Sequence, residues 1–380
     1  MTSLIEFRRD LHAHPELAHH ETGTAERVVR LVAPLVPDRI LTGIGGTGVV
    51  VTFDSGVPGP VQLFRSELDA LPIVELDVEG HGSRTDGVSH KCGHDGHTAI
   101  LAGLAMRLAA DRPARGAVHL LFQPAEETGT GAAAVLADPA FDAIRPDFGV
   151  ALHNMPGFPL HAVVVKPGSM TCAVRSIVIR FTGRTAHASE PEKGENPSLA
   201  VADLLRECDG MHVPDMRSPD FRLVTPVHVR IGSVAYGVSA GDGEVHLTIR
   251  TVDNAGLAEL QRSITTLAHR LGDRDGLRVD VDVVEDFAAN MNDPGVTERV
   301  RRAAVACGFE VISPDVGMRA GEDFGLFSER FPCCMVLLGS GEDHHPIHNP
   351  HYDFPDELID TGVELFDRVV RQATIADTPH

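Results

Sequence analysis

The chain has 380 residues, 43% of them apolar and 23% charged, and carries a formal net charge of −21 at pH 7. That length accommodates two domains, and the composition is that of an ordinary globular protein. An acidic surplus with no basic stripe to offset it argues against a nucleic-acid partner, and no apolar run approaches the roughly 18 residues of a membrane span.

In chain order, "SLIEFRRDLHAHPEL" places apolar residues at helical spacing, and the charged start lacks the apolar core of a secretory signal. "GVVVTFD" and "VQLFRSEL" read as strands. "TAILAGLAMRLAA" reads as a helix, and "GAVHLLFQPAEE" and "FGVALHN" as further strands. This alternation predicts an α/β layer around a mostly parallel sheet. Near residue 172 the texture changes. "CAVRSIVIRFTG", "NPSLAVADLLREC", "TPVHVRIGSVA", "EVHLTIRTVD", "AGLAELQRSITTLAHRL" and "LRVDVDVVED" follow a strand–helix–strand–strand–helix–strand order, the ferredoxin-like pattern. The α/β texture then returns with the helix "GVTERVRRAAVACG", the strand "CMVLLGS" and a closing helix near "DELIDTGVELFDRVVRQ". The expected fold class is therefore α/β. A domain made of residues 1–171 and 288–380 carries the mostly parallel central sheet, and an α+β ferredoxin-like domain at 172–287 is inserted into it. The six cysteines are scattered, and without an export signal they read as reduced thiols of a cytoplasmic protein.

The stretch "SHKCGHDGHTA" packs His90, Cys92, His94, Asp95 and His97 ahead of a helix. In open α/β sheets, ligands bind beyond the carboxyl ends of the strands. Glu67 and Asp69 follow one strand, Glu126 and Glu127 a second, and His153 ends a third. His344, His345 and His348 follow "CMVLLGS". Each feature alone is weak, since paired glutamates after a strand are commonly a solvated loop. Five segments delivering Cys, His, Asp and Glu to one rim point together to a metal site. Thiolate, imidazole and carboxylate suit Zn²⁺ or a neighbouring transition metal such as Mn²⁺, Co²⁺ or Ni²⁺. The candidates are too many for one four-coordinate ion, so two ions sharing a bridge, Cys92 or a carboxylate, are expected. Adjacent glutamates in an extended segment point opposite ways, so one of Glu126 and Glu127 can ligate while the other handles a water proton.

"DALP", "HKCGHDGHTAILAG", "FQPAEE", "LHNMPG", "FTGRTAHAS", "GENPSLA", "GEDFG" and "IHNPHYDF" occur in the order seen in the M20 metallopeptidase family. The chain most resembles its amidohydrolase branch, which includes hippurate hydrolases, N-acyl-amino-acid amidohydrolases and auxin-conjugate hydrolases. The resemblance implies Cys92, His94, Glu127, His153 and His348 as metal ligands, Glu126 as general base and Asp69 as a support behind the ligands. It implies that the inserted domain is a lid that carries homodimerisation. There His187 would reach the partner subunit's active site and polarise the scissile carbonyl. Asn196 would cap the helix begun by Pro197. The chain departs from relatives at Glu67, where Asp is usual, and around Tyr236 and Gly237, where relatives often carry an asparagine that binds a substrate carboxylate. Arg319 could pair with such a carboxylate instead. Glu322 and Asp323 would buttress the site or face substrate. Of the remaining residues, Asp95 reads as a helix cap. His12, His14, His19 and His20 read as a surface or helix-edge cluster. The implied activity is hydrolysis of a small N-acyl compound. The alternatives are a dipeptidase or carboxypeptidase of the same family, or an inactive metal-binding homologue.

Overall fold

The computed structural model describes residues 3–76, 78 and 80–374. It divides into two compact units, the first made of Met1–Met170, Asn290–Pro314 and Glu322–His380, the second of Thr171–Ala289 and Asp315–Gly321.

In the first unit the described residues form an eight-stranded sheet. Its order is Arg39–Ile44, Gly48–Asp54, Ala117–Gln123, Val61–Glu67, Phe148–Met155, Cys333–Gly339, Val163–Val164 and Val311–Ile312. The centre is parallel. Val61–Glu67 runs alongside both Ala117–Gln123 and Phe148–Met155, and Phe148–Met155 alongside Cys333–Gly339. The carboxyl ends of these four strands therefore share one rim. Phe148–Met155 and Cys333–Gly339 are buried at every position, as a strand covered on both faces must be. Helix His94–Ala110 is buried nearly all round, so it is a core element rather than an amphipathic cover. Leu101, Leu104 and Leu108 pack with Phe64, Leu120 and Val150 of the sheet in one continuous core. Helix Pro294–Cys307 begins with a proline behind the Asp293 cap, whose side chain accepts from the Val296 N–H at 2.9 Å, and ends on Gly308 at φ 80°.

In the second unit four antiparallel strands lie in the order Arg222–Ile231, Asp242–Thr251, Ala173–Thr182 and Arg278–Phe287. Helices Ser198–Asp209 and Asn254–Asp275 complete the ferredoxin-like element order. Asp242–Thr251 alternates buried and half-buried positions, the mark of a sheet with one covered face. Leu257, Leu260, Ile264, Leu267 and Leu271 recur at helical spacing on the long helix and pack with Ile177, Ile179, Val245 and Leu247. Asp315–Gly321, beyond the expected insert, joins this unit: the Cys172 N–H donates to the carbonyls of Met318 and Ala320.

Candidate metal centre

Strand Val61–Glu67 delivers Asp69 just past its end. The Asp69 carbonyl accepts from His94 Nδ1 at 2.9 Å, and its Oδ2 accepts from the Glu127 N–H at 2.9 Å. Two candidate ligands are thus hung on one residue, and His94 is held in the ring orientation that leaves Nε2 facing the rim. His153, near the end of Phe148–Met155, donates from Nδ1 to the Asn154 carbonyl at 2.6 Å, which turns its Nε2 to the Cys92 sulfur, 3.2 Å away.

Gly93, between Cys92 and His94, has φ 98°, and a Cβ there would lie 2.1 Å from Asn154 Oδ1. Only glycine can make this turn into the helix. Ala125 and His348 also hold positive φ, 52° and 64°, without being glycine. Such strain persists where the surroundings impose it, and here both residues sit in ligand-bearing segments.

His94 Nε2 lies 3.9 Å from Glu127 Oε1 and 3.8 Å from Glu126 Oε2. His348 Nε2 lies 3.7 Å from Glu127 Oε1. His94 Nε2 and Glu127 Oε1 are buried and have no hydrogen-bond partner. Buried polar atoms are normally satisfied, so these two mark where bound cations would complete the cluster. Two ligands about 2.0–2.3 Å from one tetrahedral ion stand roughly 3.3–3.8 Å apart, which the Glu127–His348 separation fits. Ligand atoms within 4.8 Å of one another group Cys92 with His94 and His153, and Cys92 again with Glu127 and His348. The thiol belongs to both groups.

The electrostatics lean the same way. Burial, with Glu322, Glu127 and Asp323 around it, pushes the Glu126 carboxyl well up. Burial raises Glu127 to about 7 against the pull of His94. The Cys92 thiol is driven up by burial, Glu127 and Glu126. Burial opposes charge on His94, but Asp69, Glu67 and Glu127 prevail and raise it to about 10. His153 is lowered to about 3 by burial and the neighbouring histidines, and is therefore a neutral imidazole. A cluster this rich in acid fits divalent cations, which relieve the crowding and hold the thiol as thiolate.

Glu67 and Glu322 are occupied elsewhere. Arg65, fully buried on its strand, pairs with Glu67, with Glu322 at 3.0 Å and with Asp323 at 2.6 Å. Glu67 also meets His97 Nδ1 at 2.7 Å. The Asp323 N–H stands 3.4 Å from Glu126 Oε1. His344 is half-buried and His345 exposed.

The second unit carries His187, Asn196, Tyr236 and Arg319. His187 is exposed on a two-residue strand paired with Val238–Ser239, and its Nδ1 accepts from Ser189 Oγ at 2.7 Å. Asn196 Oδ1 accepts from the Ser198 N–H at 2.9 Å, but the helix begins at Ser198, one residue later than expected, and Pro197 rather than Asn196 is its N-cap residue. Tyr236 is 96% exposed. Arg319 donates to the Pro214 carbonyl at 2.7 Å, with its guanidinium 5.8 Å from the Phe221 ring centre.

Two further expectations need correction. Asp95 does not cap its helix. Gly93 is the N-cap residue, with no side-chain cap, and Asp95 instead meets His12 Nδ1 at 2.8 Å and Arg8 at 3.2 Å. His12 is not at the surface. It is fully buried, and its Nε2 lies 2.7 Å from Glu75. Sequence reasoning also passed over Arg65, Lys91 and Tyr352, all fully buried. For Arg65, an arginine inside a strand, two residues before Glu67 and so on the same face, was the available signal.

Residues 63–372 match the model of peptidase family M20/M25/M40. The chain is 29% identical to the N-acetylcysteine deacetylase of Bacillus subtilis (strain 168), over 96% of this chain and 95% of that protein. It is 28% identical to the hippurate hydrolase of Campylobacter jejuni, over 93% and 92%. Among solved structures, the Bacillus subtilis YXEP protein, described as a dinuclear metal binding peptidase from the M20 family, aligns with a TM-score of 0.84 at 26% identity, covering 98% of each chain.

Proposed function

Because the chain belongs to peptidase family M20/M25/M40, we propose that it is a metal-dependent amidohydrolase that cleaves an N-acyl amino acid or a similar small N-acyl compound. One observation carries the reading: Cys92 sits in two ligand groups at once, beside the buried acid Glu126, which lies outside both and groups instead with His94 and Glu127. On this reading Cys92, His94 and His153 would hold one divalent ion and Cys92, Glu127 and His348 the other, with Cys92 common to both sets. Zn²⁺ suits the thiolate and imidazoles, with Mn²⁺, Co²⁺ and Ni²⁺ as the other candidates.

Bound ions of this kind acidify water and polarise a carbonyl. The chain's own groups do the rest. Glu126 takes the proton from water and returns it to the leaving amine, a role that suits a carboxyl raised by burial. The Asp323 N–H orients Glu126, and Asp69 steadies His94 and Glu127 from behind. His187 supplies a hydrogen bond to the developing oxyanion, from the partner subunit of a homodimer formed through the second unit. The first unit is then the catalytic domain and the second the lid. Asn196 shapes the lid, and Tyr236, which is exposed, is the candidate substrate contact; Arg319 and Glu322 would have to leave Pro214 and Arg65 to serve as one. No helix among the described residues is long and apolar enough to cross a membrane, and a cytoplasmic location is proposed.

Glu126→Gln tests the mechanism. The variant keeps its metal by elemental analysis, while kcat on N-acetyl or N-benzoyl amino acids falls about 10²–10⁴-fold. Wild-type turnover in that variant removes the proposed role. Free dipeptides, assayed in parallel on the wild type, separate an amidohydrolase from a dipeptidase.

A further inference from the structure

Lys91 precedes Cys92 and is completely buried. Its Nζ donates to Glu75 Oε1 at 2.5 Å and to the Tyr352 carbonyl at 2.6 Å. Its own carbonyl accepts from the His348 N–H at 2.6 Å. One residue thus holds the segment from His348 to Tyr352 at both ends, once through its main chain and once through its side chain.

That segment needs holding. His348 sits at φ 64°, which a non-glycine residue keeps only under constraint. Its side chain is 49% exposed, so packing does not supply that constraint. Two further bonds tie the segment down. The Leu76 N–H donates to the Pro350 carbonyl at 3.0 Å, and Asn154 Nδ2 donates to Tyr352 Oη at 2.5 Å. Both act beyond His348; at His348 itself the N–H is held by the Lys91 carbonyl. The ammonium is fixed in turn. Glu75 Oε1 also meets His12 Nε2 at 2.7 Å, and Glu75 Oε2 accepts from the Ser83 N–H at 2.6 Å.

We infer that Lys91 is a positioning residue that locks the His348 segment to the Cys92 segment. It thereby sets the affinity of the ion shared by Cys92, Glu127 and His348, and leaves the ion of Cys92, His94 and His153 unaffected. This rests on the two-ion reading above. His94 and His153 are oriented by Asp69 and Asn154, not by Lys91, which is why the two ions respond differently.

The experiment is competition of the zinc-loaded full-length enzyme against a chelating dye, for the wild type and Lys91→Met. Methionine keeps an apolar stem of similar length and the main-chain carbonyl to His348, and removes the donor to Tyr352 and Glu75, so the variant tests the side-chain half of the lock. The wild type releases two equivalents. In Lys91→Met one equivalent keeps its wild-type affinity and the other weakens 10- to 100-fold, the usual effect of losing a group that orients a ligand. Excess zinc then restores kcat to the wild-type value, because Lys91 touches neither substrate nor Glu126. Glu75→Gln, which weakens the grip on the ammonium without removing it, weakens the same ion less than 10-fold and is read in its own right if Lys91→Met does not fold. Two unchanged equivalents, or two weakened alike, overturn the inference while the two-ion reading stands. A wild type that binds fewer than two ions overturns that reading, and this inference with it.

Discussion

The first unit holds two buried polar clusters of opposite design. Around Arg8, His12, Glu75, Lys91, Asp95 and Asp353, each acid faces a cation: Arg8 meets Asp95, Asp353 and Asp356, His12 meets Asp95 and Glu75, and Lys91 meets Glu75. Around Cys92, His94, Glu126, Glu127 and His153, acids crowd one another, and His94 Nε2 and Glu127 Oε1 are left unbonded. The first cluster pairs its charges within the chain and braces the fold, although Asp95 Oδ1 too has no hydrogen-bond partner. The second is complete only with charge brought from outside. Buried charge in a protein therefore has two readings, and local neutrality separates them.

The contrast can be broken by mutation, and the largest effect belongs in the closed cluster. Arg8→Met strips Asp95 and Asp353 of a cation and costs about 3–5 kcal/mol of stability, the usual penalty for orphaning buried charge. Urea unfolding measures it, and the chains that still fold bind metal as the wild type does. A loss below about 1 kcal/mol would mean that the cluster is not a brace.

The next effect is pH-dependent. Burial works against the charge on His12, but Asp95 and Glu75 prevail and raise it to about 9, above the 6.5 of a free histidine. A raised cationic group contributes its full stability below pH 6.5 and loses it as the pH climbs through 9. The stability difference between wild type and His12→Gln therefore narrows over that window, by at most about 3 kcal/mol. A difference that stays flat from pH 6.5 to 9 contradicts the assignment.

The smallest effect has the opposite sign and belongs to the open cluster. Glu127, raised to about 7 by burial, is an acid whose ionised form destabilises the metal-free fold above about pH 4.5. In metal-free protein at pH 8, Glu127→Gln gains about 1–3 kcal/mol in urea unfolding, while the same substitution weakens metal retention. A loss of stability in both states would place Glu127 among the braces instead.

The open cluster was largely legible in the sequence, because its residues fall where elements end: Asp69, Glu126 and Glu127 just past strands, His153 near the end of one, His94 at the first residue of a helix. Strand direction then brings them to one rim. The ferredoxin-like order of the second unit was legible for the same reason, since alternation and helical spacing mark each of its elements. The closed cluster was not legible. His12 lies on a helix with a charged, mixed face, and only the partners Asp95 and Glu75, 83 and 63 residues away, make burial tolerable. Lys91 presents the same difficulty, because its partner Tyr352 lies 261 residues on. Asp95 was expected to cap its helix, as Asp often does at a helix start, but the φ 98° turn at Gly93 takes the N-cap place and frees Asp95 for Arg8 and His12.

The central claim is that two ions share Cys92. Anomalous diffraction from crystals of the metal-loaded protein tests it most directly. Two peaks roughly 3.5–4 Å apart, both in contact with the Cys92 sulfur, are the expected result. A single peak, or peaks that leave Cys92 untouched, would contradict it.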